Sequence, residues 1–347
     1  MAELISATNR RVAVELTEKI LDDCILASSL SVEVAALINI LRALRVEYPV
    51  LMDDVNACNA GTETANGLAL APDMAATCAD DAFRTIMFLR GTRAAIADQY
   101  AQGSGGPVRI LYAGCGPYAI LAVPLMLVLS AEEASFTLID IHPESVASAE
   151  RIITALNLAD AVFDMKVVDA TGYLADPDFS ADIILTEVMQ ACLQTEPQVA
   201  VVRHLLSQSP SALVIPQEIR VDLVFADPEV EFSATRRAVP GQSAQDGRVY
   251  AGSVFILNNE AVFSWKNVSG SYLPGLSVEV NHLPDDRYQP MLFTDICVYQ
   301  QYRIGAYESG LTFPRMLESA EKISSGAQLH FQYRLGDNPG VFIAAVQ

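Results

Sequence analysis

Val108-Arg109-Ile110-Leu111-Tyr112-Ala113-Gly114-Cys115-Gly116-Pro117-Tyr118 is an apolar run that breaks into a glycine-containing turn ahead of a second apolar stretch. Such a run reads as a buried strand feeding a helix, and the glycines let the backbone approach a ligand closely. Downstream, strands are expected at 135–139, 163–168, 181–185 and 213–215, with helices at 119–129, 143–156 and 197–206 between them. That alternation is what a parallel, doubly wound sheet requires. Asp140 closes the second strand in Leu138-Ile139-Asp140-Ile141-His142, and Asp169 closes the third in Val167-Val168-Asp169-Ala170. An acidic group at the second strand's carboxyl edge, 26 positions after Gly114, stands where a ribose diol is gripped. The turn and the two strand ends, with Ile141 and Ala170 beside their aspartates, therefore predict a nucleotide site.

The flanks read differently. From about residue 3 to 48 the apolar residues fall at helical spacing, for example Val12, Leu16, Ile20 and then Val34, Leu37, Ile38, Leu41. A loop with little regular structure is expected over 53–72, one helix over 73–100, and a flexible connection over 102–107. Beyond Pro216 short alternating runs at 220–225, 249–257, 277–280, 293–304, 328–335 and 341–346 predict an all-β region. The expected organisation is a helical region over 1–102, an α/β domain over 103–216 and a β-domain over 217–347.

With 347 residues, 51% of them apolar, the chain can bury a sizeable core. Its 22 basic and 42 acidic residues give a formal charge of −20, which repels phosphate backbones and anionic lipid surfaces. Nucleic acid and membrane are therefore not expected partners, while a cationic small molecule or basic peptide would be attracted. The six cysteines are scattered without a Cys-x-x-Cys pair, so neither a disulfide framework nor a metal site is expected. Without a secretion signal or a ~20-residue apolar span, the expected location is cytoplasmic.

A second motif follows the fourth strand, Thr186-Glu187-Val188-Met189-Gln190-Ala191-Cys192-Leu193-Gln194-Thr195-Glu196. Two glutamates nine positions apart frame one strand-to-helix loop, which can turn both carboxylates inward. Guanidinium, planar and always charged with donors in a fixed fork, is the side-chain group that best matches such a pair. For the nucleotide, a dinucleotide site needs a third glycine and an open helix N-terminus, where this chain has Pro117 and Tyr118. S-adenosyl-L-methionine carries no phosphate and fits the turn better.

Together these residues resemble a class I S-adenosylmethionine-dependent methyltransferase, and specifically the protein arginine methyltransferases. Resemblance covers roughly 78–347 and is strongest over 108–216. It implies a Rossmann-like catalytic domain followed by a barrel-like all-β domain. It also implies that Glu187, Met189 and Glu196 form the substrate loop, with Glu187 and Glu196 catalytic. S-adenosyl-L-methionine is the implied cofactor and S-adenosyl-L-homocysteine the product, bound by Gly114, Cys115 and Gly116, by Asp140 with Ile141, and by Asp169 with Ala170. Asp81-Ala82-Phe83-Arg84-Thr85 is similar to the family segment whose arginine pairs with the cofactor's carboxylate, which assigns that role to Arg84.

The chain departs from the family in several places. Tyr112 stands where an acidic residue is usual, and the β-region has no Thr-His-Trp tripeptide, leaving His282 and Asp295 as substitutes. These departures favour a relative that methylates free arginine or another small guanidine. The alternatives are an arginine peptide, another amine or hydroxyl, or a non-catalytic scaffold. His142 and His204 lack a partner that would argue for acid/base work. Tyr118 is expected to shape the cofactor pocket and Trp265 to sit in the β-domain core. Packing on the sheet is the default expectation for the N-terminal helices, with a homodimer as the other outcome.

Overall fold

The computed structural model describes residues 2–47, 61–103, 105–233, 247–317 and 323–346. Residues 53–60 of the loop expected over 53–72, Cys58 among them, and the expected end of the second helix at Tyr48 lie outside the described residues. Helices α1 (Ala2–Leu21) and α2 (Ser31–Glu47) open the chain. Strands β1 (Thr62–Thr64) and β2 (Gly67–Ala69) form a small hairpin, followed by α3 (Pro72–Cys78) and α4 (Ala82–Ala101). The α/β part comprises β3 (Val108–Ala113), α5 (Val123–Val128), β4 (Ala134–Asp140), α6 (Pro143–Ala155) and β5 (Val162–Val167). It continues through β6 (Ile183–Thr186), α7 (Gln198–Gln208) and β7 (Leu213–Ile215).

These five strands make one parallel sheet in the order β5-β4-β3-β6-β7. The central strands are buried almost along their whole length, which accounts for their unbroken apolar sequences. At the edge, β5 alternates polar and apolar residues, including Asp164 and Lys166. Register aligns the strand ends, because Ala113 lies level with Ile139 on β4 and with Thr186 on β6. Gly114, Asp140 and Glu187 thus follow side by side at the carboxyl edge. Strand order reverses about β3, so this edge is also the crevice where open α/β sheets bind ligands.

The N-terminal helices pack on this unit, α1 against α5 and α2 against α6, with Ile20, Leu37, Ile38 and Leu41 buried. Buried Arg90 of α4 donates to the Ile20, Asp22 and Ile25 carbonyls at 2.8, 2.7 and 2.9 Å. Those are carbonyls at and beyond the end of α1 that a helix cannot satisfy itself, and a cation suits them.

Three local expectations need correction. The helix expected over 73–100 is two helices, because Asp81 acts as N-cap of α4 and accepts the Arg84 N–H at 3.1 Å. The helix expected over 119–129 begins only at Val123, since Ala119 is left-handed (φ 43°) and Pro124 favours the first helical turn. The structureless loop contains the β1–β2 hairpin, for which Asn66-Gly67 was the available turn signal.

Beyond the cis peptide Ile215–Pro216 come β8 (Glu218–Ala226), α8 (Pro228–Glu231), β9 (Arg248–Asn258), α9 (Asn259–Ser264) and β10 (Tyr272–Glu279). Strands β11 (Gln289–Tyr299), β12 (Tyr302–Ile304), β13 (Arg315–Met316), β14 (Gln328–Arg334) and β15 (Gly340–Val346) complete the described chain. One antiparallel sheet runs β12-β11-β8-β9 with β13 on β11, and a second runs β10-β14-β15. Phe255 of β9 stacks between Tyr333 of β14 and Trp265, at ring distances of 4.7 and 5.4 Å. The two sheets therefore share a core that includes Trp265. The run expected over 293–304 is a hairpin, turning at left-handed Gln300.

Candidate functional site

At the carboxyl edge of the parallel sheet lies a cavity enclosing about 940 Å³ of empty space, its open mouth included. Gly114, Cys115 and Gly116 line it from the β3 turn, and Asp140 with Ile141 from β4. Asp169 and Ala170 line it from the β5 loop, and Glu187, Met189 and Glu196 from the β6 loop. Arg84 enters from the first turn of α4. The residues expected to bind cofactor and substrate, Tyr118 excepted, therefore line one space.

The glycine turn owes its shape to two left-handed residues, Gly114 (φ 76°) and Gly116 (φ 63°). A Cβ on Gly114 would sit 2.2 Å from Val188 Cγ1, so this glycine also lets the acidic loop close against the turn. Gly114→Ala is accordingly expected to cost ~1–3 kcal/mol through backbone strain and overlap. Urea denaturation checks this, and an unchanged midpoint would contradict the packing.

Asp140 organises the same turn. Its Oδ2 accepts the Gly116 N–H and its Oδ1 the His142 N–H, both at 2.9 Å. Asp169 accepts the Thr171 N–H and hydroxyl on Oδ1, each at 2.8 Å, leaving Oδ2 without a donor among the described residues. Both aspartates thus brace loops and face the cavity at once.

Arg84 and Glu187 form a buried ion pair, Nη1 to Oε2 at 2.5 Å, with side chains 4% and 11% exposed. Arg84 Nε is buried without a partner among the described residues. Burial raises the Glu187 pKa, and the Arg84 charge partly offsets it. Glu196 is also buried, and no donor reaches its carboxyl among the described residues. Burial first, and then the nearby Glu187 charge, push its pKa up to about 8 against the pull of Arg84. Near neutral pH this favours the protonated form of Glu196, which makes no ion pair among the described residues.

The acidic loop is held in a conformation it would not adopt alone. Cys192, Leu193 and Thr195 are all left-handed, at φ 61°, 56° and 68°. Contacts from distant sequence enforce it: the Cys192 N–H donates to Thr294 Oγ1 at 2.8 Å, and the Tyr333 hydroxyl donates to the Leu193 carbonyl at 2.8 Å. At its base, buried Gln198 accepts the Val188 N–H and donates to the Thr186 carbonyl. Gln198, Tyr333 and Thr294 carry no motif, so sequence reading had no means of finding them. Tyr112 and Cys78 line the cavity as well, and Leu311 reaches it from the β-region.

Other candidates fall elsewhere. Tyr118 is turned away from the cavity and lies beside Arg42 and Arg45, correcting its expected role in the cofactor pocket. His282 is exposed, and Asp295 pairs with Arg220 and Arg303 on the β-sheet, so neither substitutes for the missing tripeptide. His142 lines the cavity with Nε2 3.0 Å from Thr62 Oγ1, whereas His204 bonds the Tyr173 carbonyl in a structural contact.

No protein-family model matches the chain, and no curated protein matches it. Among solved structures it is similar to the Trypanosoma brucei PRMT1 enzyme–prozyme heterotetrameric complex with AdoHcy. That match has 12% identity over 74% of this chain and 86% of that one, at a TM-score of 0.49. It is also similar to Arabidopsis thaliana protein arginine methyltransferase 10 in an open conformation, with 11% identity over 69% of this chain and 90% of that one, at a TM-score of 0.45.

Proposed function

We propose that this chain is an S-adenosyl-L-methionine-dependent N-methyltransferase acting on a guanidino group, with free arginine or a related small guanidine as the favoured substrate. One observation carries the reading: two acids, buried Glu196 and Glu187 with its side chain 11% exposed, face the same cavity as a glycine turn and two strand-end aspartates. An unpaired buried carboxyl is costly to keep unless a ligand completes it, and a guanidinium fork is the complement that a pair of acids selects.

The residues present fit the cofactor. Arg84 offers an unpartnered buried N–H suited to a ligand carboxylate, and Asp169 offers a free oxygen suited to a hydroxyl. The two left-handed glycines leave bare backbone against the cavity. Bound there, S-adenosyl-L-methionine supplies an electrophilic methyl on sulfur. Glu187 and Glu196 hold the guanidinium plane, orient one nitrogen for in-line attack and exclude water. By drawing positive charge toward the nitrogens they touch, they leave the attacking nitrogen more nucleophilic. One carboxylate then takes the proton that this nitrogen loses.

The hairpin Thr62–Ala69 contributes Thr64 and Ala69 to the wall of this cavity. A panel of free arginine, an arginine-containing peptide and simple amines, each incubated with methyl-labelled cofactor, tests the reading. Label is expected in arginine or another small guanidine. Label only in non-guanidine amines would replace the substrate class, and no S-adenosylhomocysteine binding at all would leave a scaffold.

A further inference from the structure

We propose that the hairpin Thr62–Ala69 is a lid over the cavity whose Gly67–Leu68 edge positions Glu196, so that closure over the cofactor half of the site also sets the acidic pair. This rests on the function proposed above and assigns Gly67 and Leu68 as positioning residues.

The hairpin is tied to three different loops at the sheet's carboxyl edge. Thr62 Oγ1 lies 3.0 Å from His142 Nε2 behind β4, and Asn66 Nδ2 donates to Thr171 Oγ1 at 3.1 Å behind β5. Behind β6, the Leu68 N–H donates to the Thr195 carbonyl at 2.8 Å. Thr64 and Ala69 form part of the cavity wall. The third tie matters most, because Thr195 immediately precedes Glu196 and is left-handed. Its own N–H donates to the Pro339 carbonyl at 3.2 Å, so its peptide groups are clamped between the hairpin and the β-region. Gly67 makes the approach sterically possible: a Cβ there would lie 2.5 Å from the Thr195 oxygen and 3.3 Å from the Glu196 carbonyl carbon. The backbone at Gly67 is also in a region that favours glycine (φ 130°). Lifting the hairpin would open the cofactor side and release the peptide that aims Glu196.

Gly67→Ala in the full chain tests the positioning. Amide hydrogen exchange is expected to speed up about tenfold or more at Leu68 and Thr195, with Phe331 and Tyr333 in the β14 ladder unchanged. Turnover of the guanidino substrate should fall by about tenfold or more while the Kd for S-adenosylhomocysteine stays within about threefold. The pair Thr62→Val with Asn66→Ala cuts the two cofactor-side ties and should raise the S-adenosylhomocysteine dissociation rate about fivefold or more. Exchange at Leu68 and Thr195 in this second variant decides the matter if Gly67→Ala does not fold. Wild-type exchange and turnover would overturn the positioning role, and an unchanged dissociation rate would overturn the lid. A wild-type chain that methylates no guanidine would instead remove the function, while the exchange readout still reports whether the hairpin braces Thr195.

Discussion

Glu196→Gln is expected to lower turnover by roughly 10²–10⁴-fold while making the ligand-free protein more stable above pH 8. The two effects have one origin. Glu196 is buried without a donor among the described residues, and its pKa is raised from the ordinary carboxylate range to about 8. The folded state therefore holds a proton that the unfolded chain releases above about pH 4.5. Stability from this group is fully present below that pH and is lost as pH rises toward 8. Glutamine keeps the shape and removes the titration, so the variant should gain on the order of 1–3 kcal/mol relative to wild type at pH 8–9 and almost nothing at pH 5. Thermal denaturation across this pH range, run beside a turnover assay, checks both signs. A variant that is equally active, or that loses stability at pH 8, would show that Glu196 is a structural acid with an unrecognised donor.

Arg84→Met is expected to cost ~3–5 kcal/mol and to abolish measurable S-adenosylhomocysteine binding, because it leaves the largely buried Glu187 carboxylate without its one ionic partner among the described residues. Glu187→Gln alone should destabilise as well, by stranding the Arg84 guanidinium, and should collapse turnover. The double variant removes both charges, so it should recover most of the stability lost by either single change. Denaturant midpoints for the four proteins give the coupling directly. If the two single changes simply add, the 2.5 Å pair contributes nothing to the fold. Calorimetry with S-adenosylhomocysteine then separates the roles: Glu187→Gln should still bind it and Arg84→Met should not.

Much of the site was legible in the chain because its residues sit at strand ends, where local pattern fixes position. Gly114, Asp140, Asp169 and Glu187 each follow an apolar run, and parallel register brings them to one edge. Glu196 could be placed in the cavity only through its spacing from Glu187. Its loop is held by Thr294, Tyr333 and Pro339, all some hundred or more residues away, which no local pattern reports. The Arg84–Glu187 pair spans 103 positions and was equally hidden, since the segment around Arg84 pointed to a cofactor contact and not to Glu187. Asp140 shows a different limit: position was readable, but its hold on the Gly116 and His142 amides emerges only in three dimensions. The hairpin was missed for a simpler reason, as neither the polar Thr62-Glu63-Thr64 before its turn nor the apolar Leu68-Ala69 after it alternates along the strand. Tyr118 was misplaced because adjacency to the glycine turn does not determine which way a side chain points.

The proposed function requires Glu187 and Glu196 to grip one guanidinium beside the cofactor. A crystal structure of the chain with S-adenosylhomocysteine and arginine tests this most directly. The expected result is a guanidinium plane between the two carboxyl groups, with one nitrogen facing the cofactor's sulfur. Arginine bound elsewhere, or the two carboxyls turned apart with the cofactor in place, would contradict it.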